Sequence, residues 1–460
     1  QTTLSTPNWP RPTCQVLRCS SMVVTSSIRP RGETSRSSSL VTERPEHPGS
    51  FLSRTVEGLL VLLPSAALLG PWVGVGGVFG YRILVVLLAG CALTGWIRPV
   101  QVRRFSCAAC AIVIIAVAWA VIGTVGAIRL GTSRDLSSLM GAGLALAGAW
   151  SVARLMSDGY LRRERALRGV AIGWAVAVWM GVPLAVWEIL TARHLGTYTD
   201  GAWRNHLGLY RQPATWLTNP NLYAVFLAVG SLWVGVIGVR SAARWVRIAA
   251  VVTTAVGLGL LFATDGRVVY AALLLAVLVR LWAVRRWRWV LLGVVVGGAV
   301  VIVVTHLPQA ELTWHRFIGV VTHHNNEGPS SFAVRTTLLA WGLALVVDHP
   351  LLGAGPGGYR ASILAMPRRW FPHGKTDPHN GVLEIASQYG LVVTALLAVC
   401  WCVAIGRCWR LRRWWGAAFI TAMPLLSLAN STYLVQSVSQ LGWLVCVLVA
   451  SLSRQETRRS

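Results

Sequence analysis

The chain has 460 residues, 54% hydrophobic and 13% charged, with a mean hydropathy of +0.57. Repeated apolar runs of span length mark a polytopic membrane protein. The net charge of +26 comes from arginines dispersed among short loops between those runs, which argues against a nucleic-acid partner.

Residues 1–55 are rich in Ser, Thr, Pro and Arg and carry no sustained apolar period. They read as a disordered basic tail on the cytoplasmic side, without a signal-peptide core. Apolar runs follow near 57–71, 78–97, 106–128, 136–153, 169–190, 221–239, 246–263, 268–284 and 289–305, so that candidate spans fill 56–305. A long polar interval occupies 306–380. Further runs near 381–403, 414–428 and 434–452 fill 381–453, and 454–460 is a short basic tail. The expected fold is all-α: a membrane helix bundle of about twelve spans, with one large loop between the ninth and tenth.

Every second loop is arginine-rich: Arg98 to Arg104, Arg154 to Arg168, Arg240 to Arg247, Arg280 to Arg288 and Arg407 to Arg413, together with both tails. The positive-inside rule then puts both termini in the cytoplasm. The 191–220 loop, the Asp265-Gly266-Arg267 turn and the interval 306–380 face outward. Cys107-Ala-Ala-Cys110 has no second pair and starts an apolar run, so it reads as helix packing rather than zinc or redox chemistry.

The long loop has structure of its own and holds most of the histidines and the only lysine, Lys375. Phe332 to Val347 has helical apolar spacing behind Ser330 and Ser331, and stops at Asp348-His349-Pro350. A glycine-rich turn follows, Leu351-Leu352-Gly353-Ala354-Gly355-Pro356-Gly357-Gly358. It suits either close backbone approach to a ligand or a simple turn, and it lacks the lysine of a P-loop. His323-His324 has no companion Cys or paired carboxylates and reads as solvated rather than as a metal site.

Chemistry gathers at the outward ends. His379 lies just before a span, where Asn380 suits a helix N-cap. A neutral imidazole there accepts a proton from a hydroxyl, or else only helps cap the helix. Glu384, one helical turn on, is the next candidate base. Arg267 sits in a short turn between two apolar runs, which makes it a functional candidate or the partner of Asp265. Arg204 and Arg211 precede Asn219-Pro220-Asn221, where Asn219 fits an N-cap and Pro220 the first helical position. Arginine forks and a helix N-terminus suit a diphosphate; contact with lipid head groups is the alternative.

Four stretches resemble the bacterial O-antigen ligase and O-antigen polymerase superfamily. They are Thr218-Asn219-Pro220-Asn221, Thr264-Asp265-Gly266-Arg267, Asp348-His349-Pro350-Leu351-Leu352-Gly353-Ala354-Gly355-Pro356, and His379-Asn380 with Leu383, Glu384 and Gly390. Gly266 and Val268 depart from the family's arginine turn. The resemblance implies a glycosyltransferase of the bacterial cytoplasmic membrane. It would move a glycan from a polyprenyl-diphosphate carrier to a hydroxyl acceptor on a glycolipid, polysaccharide or protein. The arginines would hold the diphosphate, His379 would be the base, and the spans would offer a groove for the lipid tail. No cofactor, nucleotide sugar or obligatory metal is implied. A non-enzymatic exporter or flippase of an anionic lipid or solute is the competing class; it would place charges and broken helices near the bilayer midplane, often in repeated halves.

Overall fold

The computed structural model describes residues 49–75, 78–97, 107–130, 137–199, 202–204, 211–286, 288–289, 292, 331–365, 376–429 and 433–451. The helices are α1 Gly49–Leu69, α2 Gly80–Ile97, α3 Cys107–Leu130, α4 Ser137–Ser157, α5 Arg163–Thr191, α6 Pro220–Gly238, α7 Arg244–Ala263 and α8 Arg267–Ala283. After them come α9 Ser331–Asp348, α10 Gly358–Leu364, α11 Gly381–Arg410, α12 Trp414–Leu426 and α13 Ser437–Ala450. Among the described residues, seven helices are long and apolar enough to cross a membrane: α1, α3, α4, α5, α6, α7 and α11. The protein is therefore a multi-pass membrane protein. Helices α2, α12 and α13 are apolar but shorter. The ninth expected span, 289–305, falls almost wholly outside the described residues, as do the His323-His324 pair and residues 1–48 of the expected 1–55 tail; residues 49–55 of that tail are helical, as the first turns of α1.

Two short antiparallel ribbons interrupt the helical pattern. Strand β1, Gly74–Val75, pairs with β2, Val78–Phe79, between α1 and α2. Strand β3, Thr197–Thr199, pairs with β4, Ala202–Arg204, between α5 and α6. Both lie in connections, where the backbone must find partners outside a helix. Hydropathy does not signal pairs this short.

Small residues let the helices approach closely, as in membrane bundles generally. Gly173 of α5 lies against the Val61 carbonyl and the Pro64 ring of α1, and Gly230 of α6 against the Trp174 ring of α5. Proline at 64 and at 183 leaves α1 and α5 continuous. Trp245, Trp282 and Trp289 are 73%, 67% and 60% exposed beside the arginine-rich turns, as aromatic residues at a membrane–water boundary are.

The tenth expected span departs most from its sequence reading. Helix α11 runs to Arg410 but breaks at Gly390, whose φ of 77° and ψ of 178° are not helical. An apolar run conceals such a break, because hydropathy is indifferent to backbone angles.

Candidate active site

The ends of α5 and α7 and the starts of α6 and α8 meet at one end of the bundle. Asn219 caps α6: its side-chain Oδ1 accepts from the backbone N–H groups of Asn221 at 2.9 Å and Leu222 at 3.3 Å. Pro220 takes the first helical position, where its missing N–H is harmless. The Arg267 turn packs onto this start, with Gly266 against the side chain of Ala224.

Arg267 is the first residue of α8. Its Nη2 lies 3.3 Å from Asp265 Oδ2, and its side chain is 62% exposed. An exposed pair of this kind is worth little and leaves the guanidinium able to turn toward an anion. Asp265 adopts a left-handed φ of 54°, and its carbonyl accepts the Arg267 N–H at 2.9 Å. Arg211 is exposed at the head of the segment leading into α6, and Arg204 ends β4.

That segment is held by Glu188, which the sequence reading passed over. Glu188 is fully buried in the last turn of α5. Its Oε2 accepts from Ala214 N at 2.7 Å and Thr215 N at 2.8 Å, and its Oε1 lies 3.1 Å from His194 Nδ1. The available signal was a single carboxylate in an otherwise apolar run.

The long loop carries a small core of Leu338, Leu345, Ala354, Tyr359 and Ile363. Tyr359 donates to Leu338 O at 2.7 Å. Burial, reinforced by the Asp377 carboxylate, holds this phenol far above its ordinary range, so it stays a donor. Trp341 Nε1 donates to Ser362 Oγ at 2.9 Å and ties α9 to α10.

The glycine-rich turn approaches the chain's own broken helix. Gly353, Gly355 and Gly357 have φ of 68°, 76° and 73°. Ala354 N donates to Ser387 O at 2.7 Å, and Leu391 N donates to Pro350 O at 2.7 Å. Gln388 Oε1 accepts from Gly357 N at 2.6 Å. Ser138 at the start of α4 lies 2.8 Å from the Tyr389 hydroxyl and closes the far side. His349 participates through its backbone, its carbonyl accepting the Gly353 N–H at 3.0 Å.

The first half of α11 carries the remaining candidates. Asn380 Oδ1 accepts from Val382 N and Leu383 N, each at 3.1 Å, and caps the helix. His379 stands just before the cap with a left-handed φ of 49°. Glu384 is buried and its Oε2 accepts from Tyr433 N at 2.7 Å. Beside these residues opens an apolar groove of about 320 Å³. It runs from Gly381 and Val382 along α11 to Trp401 and Cys402, with Pro424, Tyr433 and Trp443 opposite. Among the described residues, no group of three or more His, Cys, Asp or Glu side chains is arranged to hold a metal ion.

No curated protein matches this chain. Residues 252–398 match the family model described as O-antigen ligase, a stretch that contains Arg267, His349, Pro350, Gly353, Gly355, His379, Asn380 and Glu384. Over that stretch the chain is similar to the O-antigen ligase family.

Proposed function

We propose that this protein transfers a glycan from a polyprenyl-diphosphate carrier to an acceptor hydroxyl at the outer face of the bacterial cytoplasmic membrane. In this reading both termini are cytoplasmic and the 306–380 loop is extracytoplasmic. The observation that supports it is the apolar groove that begins at Gly381 and Val382, directly after His379 and Asn380 in the chain.

His379 accepts the proton of the acceptor hydroxyl, and the freed oxygen attacks the anomeric carbon. The glycosidic bond to the carrier breaks, and the diphosphate departs with the bonding electron pair. Arg267, Arg211 and Arg204 neutralise the charge that develops on it. The groove along α11 takes the isoprenoid tail. Glu384 is the alternative proton acceptor, but its Oε2 is already engaged by the Tyr433 N–H. We therefore give His379 the role of base.

Purified protein mixed with labelled lipid-linked glycan and acceptor tests the reading. Glycan transfer with release of the lipid diphosphate is expected. Movement of the lipid across the bilayer without transfer would favour an exporter, a class for which the break at Gly390 is the relevant feature. Cysteine labelling of intact cells tests the orientation: label at 325 and none at 160 is expected, and the reverse would overturn it.

A further inference from the structure

We propose that Glu188 is a positioning residue for Arg211: it fixes the backbone from which that guanidinium reaches the lipid diphosphate. The inference rests on the reading of Arg211 as a diphosphate ligand and extends the site to the end of α5, outside the stretch that matches the family.

A carboxylate is poorly placed in the last turn of a helix, where the dipole already presents negative charge. Glu188 occupies that turn and is fully buried. Such a group persists only where hydrogen bonds replace its lost water. Glu188 has them, from the backbone of one segment: Ala214 N at 2.7 Å and Thr215 N at 2.8 Å, with His194 Nδ1 at 3.1 Å on the other oxygen. Charge-assisted bonds to backbone N–H groups are strong and directional.

The segment so held is short. Pro213, Ala214, Thr215 and Leu217 are buried, and Asn219 begins the next helix, while Arg211 is exposed at the other end. Glu188 thus pins the middle of a stretch whose two ends are the arginine and the helix start. Thr215 and Thr218 both adopt left-handed φ, 52° and 53°, which ordinary residues hold only when the surroundings impose it.

The sign of the effect separates positioning from plain electrostatics. Glu188→Gln removes a negative charge near an anion site, which alone would tighten anion binding. Loss of positioning weakens it, because the neutral amide oxygen of Gln accepts the two N–H groups without the charge that makes those bonds strong. The probe is undecaprenyl diphosphate, titrated into the purified full-length protein. Glu188→Gln is expected to weaken binding on the order of tenfold, since small misplacements of a clamp cost that much or more. In an Arg211→Ala background the same change should have no further effect, because a residue acting through another is not additive with it. Hydrogen exchange at residues 212–216 should accelerate in Glu188→Gln. If that variant is produced poorly, Glu188→Asp, which keeps the charge on a shorter arm, takes its place in both measurements.

Tighter or unchanged binding, or equal losses in both backgrounds, would overturn the positioning role while leaving the diphosphate reading intact. Arg211→Ala with wild-type affinity would overturn the role of Arg211 and this inference together.

Discussion

Ser387 and Leu391 would bond to one another in an unbroken α-helix, Leu391 N to Ser387 O, but each bonds instead to the glycine-rich turn. Ala354 N reaches Ser387 O, and Leu391 N reaches Pro350 O, both at 2.7 Å. The turn thus takes up the donor and acceptor that the break at Gly390 sets free. Within a membrane protein such groups have no water to turn to, and each left bare costs several kcal/mol.

The first prediction concerns that joint. Gly390 combines φ 77° with ψ 178°, a region that only glycine occupies readily, and a Cβ there would strike the Leu351 carbonyl. A Cβ at Gly353 would likewise meet the Gln388–Tyr389 peptide. Gly390→Ala and Gly353→Ala should each destabilise the protein by about 1–3 kcal/mol or more. Thermal unfolding of the purified variants measures this. A wild-type melting temperature for both would mean that the joint relaxes without strain.

The second concerns charge. Arg267→Ala should weaken use of a limiting lipid-diphosphate donor while leaving protein abundance unchanged, because the pair it forms with Asp265 is exposed and contributes at most about 1 kcal/mol. Arg267→Lys should recover only part of the activity, since a point charge replaces a fork. Asp265→Asn should leave turnover near wild type or raise it, by releasing the guanidinium. Wild-type kinetics in Arg267→Ala at limiting donor would remove this arginine from the site.

The helical class, the presence of several apolar helices of span length and the capped starts at Asn219 and Asn380 were legible in the sequence, because apolar runs and Asn-Pro or Asn-Gly punctuation record local physics. The break in α11 was not, since hydropathy records nothing of the backbone angles at Gly390. The glycine-rich turn was legible as a turn, but not what it approaches: pairing between residues 350–357 and 387–391 is tertiary. Glu188 and Glu384 were visible only as carboxylates near apolar runs. Their backbone partners, at 214–215 and 433, lie too far along the chain for spacing to reveal.

The third prediction separates the two roles open to Glu384. Its Oε2 accepts the Tyr433 N–H in a buried setting. Glu384→Ala leaves that donor without a partner and should cost about 1–3 kcal/mol of stability. Glu384→Gln retains an acceptor oxygen and should keep most of both stability and turnover. A Gln variant that melts normally yet turns over about 10²-fold or more slowly would make Glu384 the proton acceptor after all.

The last prediction concerns His379. It precedes the Asn380 cap with φ 49°, a left-handed conformation in which Asn is better tolerated than most side chains. His379→Asn should therefore preserve the backbone at the start of α11 while removing the group that takes up a proton. His379→Gln keeps a longer hydrogen-bonding arm, and His379→Ala keeps neither. If the imidazole is the base, all three should lose about 10²–10⁴-fold in turnover, still insert, and still bind undecaprenyl diphosphate. If it serves only the helix start, Asn should match wild type, and Ala should lose stability before activity. Turnover and melting temperature measured together on the three variants decide between these roles, and near-wild-type turnover in His379→Asn would move the search for the base to Glu384.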